Sequence, residues 1–447
     1  MRARRSLTNR GLTCDVHVHG TCTLHVARST SRTLHIARST LHVIPPYRKN
    51  LFAVTAASFI GFTGFTLVMP FLPLYFRQLG VDDVAEIALW SGLSLGVTPA
   101  MTALLAPFWG RLADRFGRKI MVERSLASFV IVMGSMAFVT EAWHVFALRA
   151  LQGLFAGYGA LALTMATESA PVDRIAQAIG QVQTAQRLGP ALGPIIGGVV
   201  AQLVGLRNAF LVTSAFYLVA VVLVFVMYRE PKIRHDDHAA AGPISFRTVL
   251  AFENFVLLMG VVFGLQFVDR SFGPILPLYL AQLGTPLAKV PLAAGVLFSL
   301  AAGTAAVGNH VCARLLVRTT PRSVIAGGAG AAAACALLYS VARDSTWVFA
   351  VTPLFGAAMG IATTGAYTAA GGVIPPSARG ASFGLLSTAS LTGLALSPVI
   401  SGFLAATSIR AVFLLDAAAL IFVGFGVSRL MSMAGDVKAP TPVTEEL

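Results

Sequence analysis

The sequence predicts an all-α membrane protein of twelve transmembrane helices, arranged as two parallel six-helix pseudo-repeats. Three observations lead to this fold class. Of the 447 residues, 56% are hydrophobic and only 12% are charged, against about 25% charged in an ordinary soluble protein. Long apolar segments follow one another along most of the chain, and one segment near the beginning of the apolar region recurs near the middle of the sequence.

The apolar segments begin near Leu51 and are separated by short polar turns. Each is close to the roughly 20 residues that a helix needs to cross the hydrocarbon core of a bilayer. They leave little chain for a domain outside the membrane. The predicted spans are residues 52–76, 86–108, 119–140, 143–167, 174–204, 208–228, 254–280, 291–313, 322–342, 346–372, 380–406 and 410–432.

An internal repeat relates the two halves of the chain. Pro70–Gly80 (PFLPLYFRQLG) recurs as Pro274–Gly284 (PILPLYLAQLG). Because six spans separate each residue from its counterpart, the direction through the membrane is the same and the repeat is parallel. Two such halves are the plan of a large class of secondary transporters, whose substrate site lies between them near the midplane. The same spacing relates Gly189, Pro194 and Gly198 to Gly393, Pro398 and Gly402.

The predicted organisation has five segments. Residues 1–50 form a basic, low-complexity tail that we expect to be disordered; it lacks the apolar run and cleavage site of a secretory signal. Either a transit peptide or a mis-called start codon could account for this tail. The other segments are a six-helix bundle at 51–228, a cytoplasmic linker at 229–253, a second bundle at 254–432 and a cytoplasmic tail at 433–447.

The net charge of +14 is better explained by membrane orientation than by nucleic-acid binding, because so apolar a chain has little surface for a basic patch. Most Lys and Arg residues fall in the loops on the side of the termini. By the positive-inside rule, both termini are expected on the cytoplasmic side of the membrane. The four cysteines form no disulfide pattern, and no metal or other cofactor is expected.

A charged turn between the second and third spans, Gly110–Lys119 (GRLADRFGRK), surrounds one acid with four cations. It resembles the signature loop of the major facilitator superfamily, G-x-L-A-D-R-x-G-R-K, at every fixed position. The resemblance implies that Asp114 pairs with charges at the end of a neighbouring helix and latches the outward-open state. Val317 replaces the acid in the second half, so the latch is one-sided. The latch residues are Gly110, Asp114, Arg115, Gly117, Arg118 and Lys119.

Two further motifs lie inside spans. Arg149, Gln152 and Gly153 resemble the R-x-x-Q-G motif of the same superfamily, whose Arg is associated with proton transfer. A charge at the centre of a membrane helix costs at least about 2.5–3.5 kcal/mol, so Arg149 faces a cavity or a partner, or else snorkels to the interface. In the fifth span, the string G-x-x-x-G-P-x-x-G-G resembles the antiporter motif of the twelve-span drug:proton antiporter branch, although its small residues also predict a tight packing seam. Its residues are Gly189, Gly193, Pro194, Gly197 and Gly198.

The candidates for proton coupling are Asp269, Arg149 and Asp416. Asp269 is the first choice, because its depth in the seventh span predicts a buried acid that can take up and release a proton. A structural ion pair with an Arg of another helix, such as Arg187, explains it equally well. Drug antiporters of this branch often carry an acid in the first span, but residues 52–76 contain none.

The substrate cavity is expected to have apolar walls and few polar groups, which favours lipophilic and often cationic substrates. Helix packing explains each candidate residue equally well. The candidates are Phe65, Met69, Gln152, Gln183, Gln186, Arg187, Gln266 and Tyr367.

Together these features predict a monomeric, proton-coupled transporter that exports hydrophobic small molecules by alternating access, with the proton gradient as its energy source. A major facilitator transporter of a specific metabolite, such as a sugar or siderophore, by symport or antiport is the alternative, and a non-transporting sensor also stays open. An enzyme is not expected, because the spans contain no metal-ligand spacing, no nucleophile with a base and no nucleotide loop.

Overall fold

The computed structural model describes residues 14–16, 22–24, 46–171, 174–230, 250–374 and 379–431. The chain divides into two compact units, residues 1–46 and 47–447. In the first unit, strands β1 (Cys14–Val16) and β2 (Cys22–Leu24) pair in antiparallel fashion, with Asp15 opposite Thr23. Residues 46–50, which the sequence analysis placed in the disordered tail, begin the first helix. The rest of the predicted tail, most of the predicted linker and all of the C-terminal tail lie outside the described residues.

The second unit is helical and confirms the predicted fold class. Among the described residues, ten helices are long and apolar enough to cross a membrane. The helices are α1 (Pro46–Leu67), α2 (Leu72–Gln78), α3 (Val84–Phe116), α4 (Arg118–Met136), α5 (Ala142–Phe155), α6 (Tyr158–Ser169), α7 (Ile175–Val204), α8 (Leu206–Met227), α9 (Phe255–Gln282), α10 (Val290–Leu315), α11 (Pro321–Ser340), α12 (Ser345–Val373), α13 (Arg379–Thr407) and α14 (Ile409–Leu430). They overlap all twelve predicted spans, although α1 begins six residues before the predicted first span and α3 ends eight residues after the predicted second span.

The internal repeat is visible in side-chain contacts. The hydroxyl of Tyr75 in α2 donates to the carbonyl of Met136 at 2.6 Å, and Tyr279 in α9 donates to the carbonyl of Tyr339 at the same distance. The Tyr75 ring lies 4.8 Å from that of Phe210, and the Tyr279 ring lies 4.9 Å from that of Phe413. The two halves therefore use the same contacts to fix the same helices.

Two spans that the sequence analysis treated as continuous are broken. The first span consists of α1 and α2, which are separated at Pro70, a residue without a backbone N–H. The fourth consists of α5 and α6, which are separated at Ala156 and Gly157; Gly157 has a φ of 132°, a conformation that favours glycine. Periodicity did not predict either break, because apolar residues continue through both.

The break between α5 and α6 has its own hydrogen-bond partners. The carbonyl of Leu154 accepts a hydrogen bond from the Trp109 indole at 2.7 Å, and the carbonyl of Phe155 accepts from Ser125 at 2.7 Å and from Arg124 at 3.2 Å. The Arg124 guanidinium also lies 3.4 Å from the centre of the Trp109 ring. Because lipid offers no water to free carbonyls, these contacts are what allows a broken helix in the membrane.

Because twelve is an even number of spans, the chain enters the membrane near Tyr47 and leaves it near Leu430 on the same face. We call this face the terminal face and the opposite one the far face. The two halves touch closely near the far face. A Cβ on Gly295 of α10 would lie 3.0 Å from the carbonyl carbon of Pro194 and 3.3 Å from Cα of Ile195 in α7. Similar close contacts join Gly92 to Pro398, Gly198 to Leu292 and Gly402 to Ala88.

Candidate functional site

A small cavity lies between the two halves at the depth predicted for a substrate site. Its volume is about 30 Å³, enough for a small polar group. Each half contributes one arginine, and the other lining residues of the cavity are apolar. The lining residues are Phe65, Met69, Leu95, Pro99 and Arg149 from the first half, and Arg270, Leu394 and Pro398 from the second.

Arg149 is buried at this cavity, with 1% of its surface exposed. Its Nη1 donates to Oε1 of Gln152 at 2.9 Å, whereas Nε and Nη2 have no hydrogen-bond partner among the described residues. The hydroxyl of Thr98 donates to the backbone carbonyl of Arg149 at 2.9 Å and holds α5 against α3. The guanidinium therefore does not snorkel to the interface; it faces the cavity with two donors unused.

Asp269 and Arg270 differ from the sequence prediction. The side chain of Asp269 is 47% exposed, so the expectation that it is buried was wrong. Its Oδ2 lies 3.3 Å from Nε of Arg270, the next residue, and this pair replaces the suggested pair with Arg187. Depth along a helix does not determine which side of the helix a residue faces, and adjacent residues differ by about 100°.

Arg270 is a site residue that the sequence analysis missed. It is 27% exposed, and its Nη1 lies 4.0 Å from the sulfur of Met69, across the boundary between the halves. Its position in the middle of a span was the signal that could have identified it, because an arginine there rarely faces lipid.

Asp416 of α14 is fully buried. Its Oδ2 accepts a hydrogen bond from the hydroxyl of Ser271 at 2.6 Å, and its Oδ1 has no partner among the described residues. No described cation forms an ion pair with it. Because Ser271 follows Arg270 directly, one turn of α9 contacts both the midplane cavity and the buried acid.

The residues of the predicted antiporter motif form a helix seam. Gly189 and Gly193 approach the backbone of Thr63 in α1, and Gly197 approaches that of Leu67. Gly198 instead meets α10 of the other half, where a Cβ would lie 2.9 Å from Cα of Leu292. This seam therefore joins packing inside the first half to closure at the far face.

The predicted latch loop is bound to other helix ends of its own half. The backbone N–H of Arg118 donates to Glu230 after α8 at 2.7 Å, and its guanidinium pairs with Glu168 at the end of α6. Lys119 lies 3.7 Å from Glu123. The Asp114 side chain, on which the predicted latch depends, lies outside the described residues. The remaining latch positions are Gly110, Arg115 and Gly117, the last with a φ of 92°.

The other cavity candidates do not line the midplane cavity. Gln186 donates to the carbonyl of Gly159 at 2.9 Å, and Gln266 donates to Ser390 at 2.9 Å, so both have structural roles. Gln152 instead accepts a hydrogen bond from Arg149. Gln183 and Arg187 are exposed on α7, and Tyr367 is half-buried on α12.

A second, wider cavity lies in the first half, between α1 and α7, on the side of the terminal face. Its volume is about 900 Å³, within the range of sites for drug-sized ligands. Tyr47 joins two of its lining residues, since its hydroxyl accepts from Arg48 at 3.2 Å and from Arg174 at 3.0 Å. The sequence analysis missed this cavity. Its further polar lining residues include Thr55, Gln177, Gln181 and Thr184.

Three comparisons with known proteins agree. The sequence profile described as the Major Facilitator Superfamily matches residues 54–370 and 291–445. The multidrug resistance protein MdtG of Proteus mirabilis is 30% identical over 379 residues, covering 84% of this chain and 94% of that protein. The multi-drug resistance efflux pump PmrA homolog of Lactococcus lactis is 32% identical over 273 residues, covering 60% of this chain and 66% of that protein.

Among solved structures, a bacterial homologue of the human lysosomal transporter Spinster has the same fold. That structure is in an inward-facing and unoccupied conformation. It aligns with a TM-score of 0.73 and 16% identity, and covers 89% of this chain and 100% of that one.

Proposed function

Because the chain belongs to the major facilitator superfamily, whose fold is that of a transporter rather than an enzyme, we propose that it exports hydrophobic small molecules in exchange for protons. The observation that carries this proposal is the arrangement of its cavities. The two halves touch at the far face, and a small cavity lies between them at the midplane. The wider cavity lies on the side of the terminal face, in the first half. The names of the relatives support multidrug efflux as the class of activity.

In this proposal the terminal face is the cytoplasmic face of a bacterial inner membrane, and both termini lie there. Substrate enters the wider cavity from the terminal face and then reaches the midplane cavity. Rocking of the two halves then opens the far face. Differences in the affinity of the two states for substrate and for protons provide the coupling, with the proton gradient as the energy source and no cofactor.

Asp416 is the proton carrier that the geometry favours. Taking a carboxylate out of water without a counter-cation costs several kcal/mol, so Asp416 is best accommodated here with a proton bound. Asp269, by contrast, already has a cation beside it and half of its side chain exposed. A change of state that moves Ser271 away or admits water to Asp416 would release the proton.

Efflux from cells that lack other drug pumps tests the proposed class of activity. A panel of a lipophilic cation (rhodamine 6G), a neutral dye (Nile red) and a lipophilic anion (8-anilinonaphthalene-1-sulfonate) would be loaded and followed by fluorescence. Export of at least one probe that stops when a protonophore collapses the gradient supports the proposal. Export that is insensitive to the protonophore, or no export of any probe, contradicts it.

Proton coupling is then tested in everted vesicles, where acridine dyes report the proton gradient. Addition of an exported probe should release protons in the wild type and in Asp82→Asn, a control at an exposed acid in the turn before α3. We expect Asp416→Asn to lose this release and Asp269→Asn to keep most of it. The reverse pattern would assign the proton to Asp269.

A further inference from the structure

We propose that the midplane cavity binds the negatively charged group of an amphipathic substrate, a carboxylate or similar oxyanion, through Arg149 and Arg270. This inference rests on the proposed export function and adds the charge of the substrate class. It replaces the expectation of lipophilic cations that followed from apolar residues alone.

Arg149 supplies the main argument. Its Nε and Nη2 lie on one side of the planar guanidinium, and neither has a hydrogen-bond partner among the described residues although Arg149 is buried. Leaving such donors unpaired away from water is costly, and proteins rarely do so without a reason. The same two donors form the fork that binds a carboxylate with two parallel hydrogen bonds. Arg149 therefore has the geometry of an oxyanion site with its ligand positions open.

Arg270 brings a second positive charge from the other half. Asp269 offsets part of this charge from 3.3 Å, but no described acid pairs with Arg149. The cavity thus keeps a net positive charge in a region of low dielectric, where an anion is attracted and a cation repelled. Because the two arginines come from different halves, an anion between them would also hold the halves together.

The wider cavity has the same sign of charge. Its described lining residues include Arg48 and Arg174 and no Asp or Glu. The lining of the midplane cavity likewise contains two cations and no acid. Among the described residues, both cavities therefore offer cationic groups and no acid, an arrangement that concentrates anions.

The size of the midplane cavity restricts what it can hold. A volume of about 30 Å³ accommodates a small polar group and not a drug-sized body. In the proposal, the oxyanion lies at the arginines, and the apolar body of the substrate contacts Phe65, Met69 and Leu394 as the halves separate around it.

Three compounds with one apolar body and different charges test the proposal. 4-Phenylbutyrate is an anion, 4-phenylbutyramide is neutral and 4-phenylbutylamine is a cation. Their binding to the purified full-length protein in lipid nanodiscs would be measured by isothermal titration calorimetry at constant pH and salt. We expect the carboxylate to bind at least about ten times more tightly than the amide, because charge-assisted hydrogen bonds are roughly twice as strong as neutral ones.

Variants identify the residues responsible. Arg149→Gln should abolish the preference for the carboxylate, and Arg149→Lys, which keeps the charge but loses the fork, should keep only part of it. Arg270→Gln changes a partly exposed residue and provides a second test if Arg149→Gln does not fold. Arg77→Gln, at an exposed arginine at the end of α2, is the matched control and should bind like the wild type.

Each result decides the proposal. Equal or tighter binding of the amide or amine, no saturable binding of the carboxylate at millimolar concentration, or a preference that survives in the Arg149 and Arg270 variants would overturn it. Export by the same protein in proteoliposomes is scored separately. A carboxylate preference without export would contradict the proposed function and leave the anion site in place, whereas export without that preference would do the opposite.

Discussion

The two halves of the molecule share their scaffold but not their charged groups. Tyr75 and Tyr279 make equivalent hydrogen bonds and equivalent ring contacts. Among the described residues, however, a buried arginine is found only in the first half, at Arg149. At the same distance from the N-cap, α12 has Thr352, which binds Val348 and Tyr339. The two halves therefore share the contacts that fix their helices and differ in their buried charged groups.

The halves also differ in the continuity of their helices. The first half breaks its first span at Pro70 and its fourth at Gly157. The matching helices of the second half, α9 and α12, run unbroken, even though α9 contains Pro274 and Pro277. The first half is therefore expected to be the more deformable partner when the halves rock.

Closure at the far face gives the largest expected effect. In Gly295→Ala, the new methyl group would press on the backbone of Pro194 and Ile195, which cannot move aside as a side chain could. Overpacking of this kind costs about 1–3 kcal/mol, enough to shift a two-state population about 5- to 150-fold. We expect a shift toward conformations that are open at the far face.

Spin labels can measure this shift. Gln78→Cys and Gln282→Cys are exposed and equivalent in the two halves, and would be labelled in a background without the native cysteines. Double electron–electron resonance should show a larger population of long distances between the two spin labels in Gly295→Ala. Gly303→Ala is the matched control on the same helix, since nothing lies within 4 Å of its new methyl group. An unchanged distance distribution in Gly295→Ala would mean that the far face is not held by this contact.

The break in the fourth span gives the next effect. Trp109→Leu removes the hydrogen bond to Leu154 and the ring beneath Arg124. We expect a loss of about 2–3 kcal/mol from the combined hydrogen bond, cation–π contact and packing. Thermal unfolding in detergent should show a lower Tm, and hydrogen exchange should increase around residues 154–158 and not in α12.

Trp143→Leu is the control for this variant. Trp143 is an exposed tryptophan near the start of α5, and its indole donates to Glu141. The control should lower the Tm much less than Trp109→Leu does, and it should leave hydrogen exchange at the break unchanged. Equal effects of both substitutions would show that the break needs no support from Trp109.

The sequence predicted the spans well because length, apolar runs and turn residues determine where helices cross. Phe65 and Met69, named as cavity candidates, line the midplane cavity, as does Arg149, named as a proton-coupling candidate. It did not reveal that Asp269 is exposed or that Arg270 reaches the cavity, since both depend on how α9 is rotated relative to its neighbours. The breaks at Pro70 and Gly157 depend on partners such as Trp109 and Arg124, which are distant in sequence.

The shared scaffold gives the smallest effect and the sharpest test of the repeat. Tyr75→Phe and Tyr279→Phe each keep the ring contact and leave one buried carbonyl without its donor, at a cost of about 1–2 kcal/mol. Because the two sites lie in different halves and share no partner, the Tm changes should be nearly equal, and the double variant should show their sum. If one substitution were neutral, the similarity of the halves would extend to their geometry and not to their energetics.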